Sequence, residues 1–314
     1  MNQAKPRFSF RPIKWMHFIN DVHPIFPNIA FCYVGFASFY LFVSNFLKIG
    51  SFSWTDLIIG SSTYSAVLLC LRAFDELKDQ ATDIINFPNR PLVKGVVARS
   101  DLYTLSSLLL LTPLVVHLAF YGFSLPTISY TVVMVFAFFT YKWFYMEKFI
   151  RPRLVWALIT HNPLVYVLQF YTLSFLFQSF DEPLNKQTLL ITLAFGLTGT
   201  AWEISRKLRQ PSEETEYTTY TKIWGKAFST YFVMLTLYSS AGIFIYLSAP
   251  LLAGSHKLMM TPLCLPLLAL FHVTLEAKKF LNGERKGILM RQNIELYMAS
   301  LTLSALVLSV LPFF

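Results

Sequence analysis

The feature that most constrains this chain is a series of apolar runs, each near the length of a helix that crosses a bilayer, roughly 20 residues. They fall at residues 24–47, 56–75, 102–120, 125–146, 154–180, 186–205, 227–248, 258–276 and 288–311. Backbone N–H and C=O groups find no partners in hydrocarbon, so each run is expected to be a helix that satisfies its own. The placement of Lys and Arg tests the count. Assigned alternately from a cytoplasmic N-terminus, the connections put 23 of the 26 basic residues on the cytoplasmic side. Only Lys48, Lys186 and Lys257 fall opposite. The positive-inside rule predicts a bias of this kind, and an error of one helix would scramble it. The expected fold class is an all-α integral membrane protein of nine transmembrane helices. Its N-terminus is cytoplasmic, its C-terminus outside, and residues 1–314 form a single domain.

The net charge of +9 could suggest nucleic acid, but the basic residues are spread along one membrane face, with no continuous basic helix or base-reading motif. Nucleic acid is therefore excluded as a partner, and membrane lipid, anionic headgroups and phosphate esters are the expected ones. Charged residues make up only 14% of the chain, against about 25% in soluble domains. Cys32, Cys70 and Cys264 lie in apolar segments without metal-ligand spacing, and they read as small hydrophobes. The N-terminal residues are basic but polar, with no short apolar core and cleavage site, so a removable signal peptide is not expected. External connections are short, at 121–124 and 181–185, whereas two cytoplasmic ones are long, at about 76–101 and 206–226. Each long one follows an acidic helix end, as two loops capping one site would.

The second run ends in charge: Arg72, Asp75, Glu76, Lys78, Asp79 and Asp83. If the helix continues, Asp75, Asp79 and Asp83 share one face, with Glu76 one step round. Carboxylates at this spacing repel one another. A solvated helix end is one reading of the cluster. A divalent cation is the other, and the position at the end of a membrane-length run, followed by basic residues, favours it. Hard oxygen ligands suit Mg²⁺, which takes one or two carboxylates and completes its shell with water and substrate phosphate. The expected substrate is a phosphate or diphosphate at the membrane surface, with Arg72, Lys78, Arg90 and Lys94 as its nearest basic contacts.

The order Asp75-Glu76-x-x-Asp79-x-x-x-Asp83 resembles the N-D-x-x-D-x-x-x-D signature of the UbiA superfamily of intramembrane prenyltransferases, with Asp75 in the Asn position. Asn89-Arg90-Pro91-Leu92 and Gly95 are similar to that family's R-P-L-x-x-G segment. The resemblance implies a UbiA-like helical bundle, with Mg²⁺ held by Asp75, Glu76, Asp79 and Asp83. It also implies a second carboxylate pair after the sixth span, and here the chain departs from the pattern. Glu203 can stand for the first acid, but four residues on stands Lys207, beside Arg206. Glu213 and Glu214 lie further along, and Tyr220–Gly225 resembles the usual ending. The pattern E-I-x-R-K-x-R-x-P-x-E-E from Glu203 resembles a bacterial branch of these proteins. Either Glu203, with Glu213 or Glu214, holds a second Mg²⁺, or Arg206, Lys207 and Arg209 replace its charge by gripping the diphosphate. Lys222 belongs to the same group of diphosphate contacts.

Members acting on aromatic acids tend to carry Arg four residues before the Pro that opens the first span. This chain has Asn20 there, with Asp21 and His23 beside it, so a carboxylated acceptor loses one partner. His161, in the fifth span, either lines the pocket or bonds backbone near Pro163. Lys142 and Lys148 are diphosphate contacts or snorkelling side chains. The function implied by the resemblance is ionisation of an allylic isoprenyl diphosphate and transfer of the prenyl group to an aromatic or other lipophilic acceptor. The resemblance places it in a bacterial inner membrane, with the active site facing the cytoplasm. A terpene cyclase on the same scaffold is the alternative. A transporter would need ionisable groups near the bilayer midplane, whereas these sit at one interface.

Overall fold

The structure is a computed structural model and describes residues 12–22, 24–177, 185–216, 218–253 and 261–310. Among these the regular structure is helical. The helices are α1 (Pro12–Val22), α2 (Ile25–Leu41), α3 (Trp54–Asn86), α4 (Arg99–Tyr121), α5 (Leu125–Tyr141), α6 (Glu147–Ile150) and α7 (Leu154–His161). They continue with α8 (Pro163–Leu173), α9 (Lys186–Ser205), α10 (Tyr220–Trp224), α11 (Lys226–Ala253), α12 (Thr261–Leu281) and α13 (Gly287–Val310). A π-helical turn at Phe42–Phe46 prolongs α2.

Each of the nine expected runs contains helix among its described residues. Six helical segments are long and apolar enough on their own to cross a membrane: Phe26–Asn45, α3, α4, α9, Lys226–Pro250 of α11, and α13. The other three differ for local reasons. Helix α5 has 17 residues. The run at 154–180 divides at Asn162 because Pro163 has no N–H to continue the ladder. Helix α12 carries Glu276, Lys278 and Lys279 in its last turns.

The chain divides into two compact units. The first comprises Met1–Tyr33 and Ile58–Tyr145. Its core gathers Phe18 of α1, Cys70, Ala73, Phe74 and Leu77 of α3, Leu92 and Val97 of the following loop, Leu102 and Leu105 of α4, and Tyr141 of α5. The α3 contribution follows the spacing of a single helical stripe. Trp15, Ile19 and Val22 pack beside Phe18, so α1 is an amphipathic helix preceding the first span. The second unit comprises Val34–Leu57 and Met146–Phe314. In it α9 packs on α8, α11 and α13, and α12 packs on α11 and α13. Gly196 and Gly199 let α8 lie close: a Cβ at Gly196 would run into the Tyr166 ring, and one at Gly199 would approach Val165.

Helix faces away from these cores are apolar. On α4, Leu108, Leu111, Val115 and Leu118 are exposed; on α11, Phe228, Tyr231, Leu235 and Tyr238; on α12, Leu265, Leu268, Phe271 and Leu275. Their three- and four-residue spacing makes continuous outward stripes, far more exposed apolar surface than water tolerates. Lipid covers such stripes at no cost, and the protein is a multi-pass integral membrane protein. The 33 residues of α3 give a helix of about 50 Å, longer than the roughly 30 Å hydrocarbon core. Its charged last third therefore has room to stand clear of the lipid. The connection expected over 76–101 is correspondingly narrower, since α3 runs to Asn86 and α4 starts at Arg99.

Sidedness is tested by labelling. Ser212 is exposed in the connection between α9 and α10. A cysteine placed there, in a Cys264→Ser background, should react with an impermeant maleimide from the cytoplasmic face of oriented vesicles only. Reaction from the outer face would overturn the N-in assignment.

Candidate functional site

The acidic residues of α3 are on a continuous helix, as the sequence requires if they are to share a face. Burial decides how they are arranged. The side chains of Glu76 and Asp83 are 1% and 4% exposed, and buried carboxylates need partners. Arg72, one turn before Glu76, donates from Nη2 to its Oε1 at 2.5 Å. Arg90 comes from the loop after α3, and its Nη1 donates to Asp83 Oδ2 at 2.5 Å and lies 3.5 Å from Glu76 Oε1. Lys78 Nζ pairs with Asp75 Oδ1 at 2.8 Å and sits over the Trp143 ring.

The loop is shaped to deliver Arg90. Lys94 N–H donates to Arg90 O, Val96 N–H to Pro91 O and Gly95 N–H to Leu92 O. Gly95 has φ +72°, where a side chain is disfavoured. The buried Leu92 and Val97 anchor the loop on the core below. Arg72 and Arg90 then line a cleft of about 460 Å³, together with Asp21, Asn86, Phe87 and Asn89. Two guanidinium groups and two amides facing one space suit an anion with several oxygens.

Four carboxylates are met here by three cations, Arg72, Arg90 and Lys78. Among the described residues Asp79 makes no hydrogen bond or ion pair, and Glu76 Oε2 is buried with no hydrogen-bond partner. No three His, Cys, Asp or Glu side chains among the described residues converge as ligands of one ion. Magnesium fits this donor set nonetheless, because it takes few protein carboxylates and keeps water or phosphate on its other positions. An orphaned buried carboxylate oxygen is also the atom a cation would satisfy.

The second group of expected residues lies in the other unit. Glu203 is held by Arg206, whose Nε and Nη2 donate to its Oε2 and Oε1 at 2.7 and 2.8 Å. Lys207 lies over the Tyr220 ring, and Lys222 donates to Thr215 O. Glu213 Oε2 accepts the backbone N–H of Gln210 at 2.9 Å and of Gly287 at 2.8 Å. Glu214 accepts the hydroxyls of Thr219 and Thr221. Every acidic residue expected here thus has protein donors.

Asn20 is exposed on α1, next to Asp21 of the cleft, and Lys94 is exposed on the loop. His23 lies outside the described residues. Lys142 lies over the Tyr141 ring, and Lys148 is exposed on α6. His161 Nδ1 is 3.0 Å from Ala157 O and 2.9 Å from Thr160 Oγ1, while Asn162 Nδ2 donates to Thr200 Oγ1 at 2.8 Å. Ala157 O is the carbonyl one turn before His161 and not the one that Pro163 leaves without its N–H.

Two features escape the sequence reading. Glu276 is 8% exposed and paired with Lys279 and Arg285 at 2.7 and 2.6 Å. Gln210 is buried and uses both ends of its amide. A glutamate three residues before a lysine at a helix end signals the first in part, while nothing local signals Gln210.

The pairing around Arg90 makes a stability prediction. Arg90→Met leaves Glu76 and Asp83 short of a partner, at about 3–5 kcal/mol, the usual cost of removing one member of a buried pair. Thermal unfolding in detergent should show a large drop in Tm, partly recovered by adding Asp83→Asn. Equal Tm for the single and the double variant would rule out the pairing.

A scan against protein-family models and a search of curated proteins both returned no match. Among solved structures the chain is similar to the apo structure of a UbiA homolog from Aeropyrum pernix K1, with 13% identity and a TM-score of 0.62 over 90% of this chain and 98% of that one. It is also similar to a digeranylgeranylglyceryl phosphate synthase, with 15% identity and a TM-score of 0.60 over 94% and 99%. Such identities speak for the fold, and both likenesses run nearly end to end. The chain is a membrane protein with the UbiA fold.

Proposed function

We propose that the protein is a magnesium-dependent intramembrane prenyltransferase, taking an allylic isoprenyl diphosphate and a lipophilic acceptor, aromatic or otherwise. The observation that carries the reading is the end of α3. Among the described residues Asp79 has no hydrogen bond or ion pair and one buried Glu76 oxygen has no hydrogen-bond partner, on a helix whose neighbouring arginines line a cleft that suits an anion. The UbiA fold supports it, and one of the similar structures is a synthase of a geranylgeranylated lipid by its name.

Asp79 and Glu76 would hold the magnesium, with Asp75 and Asp83 completing the negative field. When bound, the ion supplies Lewis-acid stabilisation of the charge that develops on the departing diphosphate. Arg72 and Arg90 donate to the same oxygens, and their carboxylate partners keep both guanidinium groups oriented. The allylic C–O bond breaks and the diphosphate leaves with the electron pair. An electron-rich acceptor carbon then forms the new C–C bond and loses its proton. The apolar helices keep water from the cation, and their aromatic faces stabilise it.

Asp79→Ala should lower kcat by at least ~10²-fold. It should leave Tm nearly unchanged, because Asp79 supports no other side chain. The assay supplies Mg²⁺, farnesyl or geranylgeranyl diphosphate and a phenolic acceptor, and reads the prenylated product by mass spectrometry. Diphosphate release should be slow without acceptor and faster with it. Full activity in Asp79→Ala would sink the site, and rapid formation of a cyclic hydrocarbon or alcohol without acceptor would sink the transferase reading.

A further inference from the structure

The segment after α9 is one of the two long connections, and it is fastened to the turn between α12 and α13. Gln210 is 6% exposed and fully used. Its Nε2 donates to Phe280 O and to Arg285 O, both at 2.7 Å, and its Oε1 accepts from Lys226 Nζ at 3.3 Å. Glu213 closes the other side. One oxygen, Oε2, accepts both Gln210 N–H and Gly287 N–H. Gly287 is the first residue of α13, so the carboxylate also sits at the positive end of a 24-residue helix.

Packing agrees with the hydrogen bonds. A Cβ on Gly287 would collide with the backbone carbonyl of Leu208, so only glycine lets the segment lie this close. Leu208 itself is buried. The turn it docks on is stiffened by Glu276, which accepts from Lys279 and from Arg285, the residue whose carbonyl receives Gln210.

We infer that Gln210 and Glu213 are positioning residues: they dock segment 206–213 on the α12–α13 turn and so set Arg206, Lys207 and Arg209 for an anionic group. That the anion is a prenyl diphosphate rests on the proposed function; the docking does not. Glu213 acts here through an oxygen that accepts two N–H bonds, a task an amide oxygen can also perform. A metal ligand would need the charge.

Two readouts separate the parts of the inference. The first is limited trypsin digestion of the detergent-purified protein, scored by mass spectrometry for cuts after Arg206, Lys207 and Arg209. Each lost bond of this kind is worth roughly a factor of five to ten. Glu213→Ala and Gln210→Glu should therefore be cut there roughly tenfold faster than the parent protein, with Tm otherwise indicating a folded chain. Gly287→Ala removes no hydrogen bond and should do the same by steric displacement. Glu213→Gln should restore slow cutting. Unchanged cutting in Glu213→Ala and Gly287→Ala, or fast cutting in Glu213→Gln, would overturn the docking.

The second readout is protection of the same sites by added inorganic diphosphate, together with the KM for prenyl diphosphate. Diphosphate should slow the cuts in the parent protein and not in Gly287→Ala. The variant's KM should rise roughly tenfold with kcat changed less than about threefold, since a displaced anchor weakens binding more than chemistry. Equal protection in both proteins would overturn the positioning role. Protection without any prenyl transfer would keep it and count against the proposed function instead.

Discussion

Two carboxylates buried at the end of a membrane helix have to be neutralised from within the protein, and much of the first unit follows from that need. Glu76 and Asp83 share Arg90, and Glu76 also takes Arg72 from one turn earlier. Arg72 is supplied by helical spacing alone. Arg90 has to return from beyond the helix end. That requires a loop that reverses at Gly95 and anchors itself through Leu92 and Val97. The same two arginines then border the cleft. The groups that stabilise this helix end are the same ones that face the cleft, and the ion pairs hold both guanidinium groups in fixed orientation. Orientation in advance is what makes such groups effective in a low-dielectric site.

The two long connections, after α3 and after α9, are held in different ways. The one after α3 is tied by charge, through Arg90 and the acidic helix face. The one after α9 is tied by backbone groups, with Gln210 and Glu213 reaching carbonyls and N–H groups of the α12–α13 turn. Ion pairs at an interface respond to other ions, whereas bonds between an amide and a backbone carbonyl do not. In the second unit Glu213 and Glu214 bond within the connection after α9 or to the turn beside it, and Glu203 pairs with Arg206.

Periodicity and charge placement settled a good deal before any coordinates. The helical character of the apolar runs and the shared helix of the α3 carboxylates each follow from interactions within a few residues. The amphipathic α1 was equally legible, in the spacing of Trp15, Phe18, Ile19 and Val22, but it is short and polar enough to be passed over beside membrane-length runs. The break at Asn162 was written in Pro163. The extension of α3 to Asn86 follows from the same charged stretch, which reads as loop only while it is assumed to be leaving the helix.

What the sequence could not settle is which oxygen meets which donor. Asp75, Glu76, Asp79 and Asp83 look alike as a string; only the packed chain decides that three are paired among the described residues and Asp79 is not. Glu213 reads in sequence as an acid near other acids; that it accepts a backbone N–H from Gly287, 74 residues further on, appears only in the folded chain. Gln210 carries no local signal, and its role exists only once the α12–α13 turn is in reach. Sequence alone determined the helices and the membrane, since hydrocarbon forces local backbone bonds. Tertiary structure decided the partners, because the energy of a buried charge depends on distances between residues far apart in the chain.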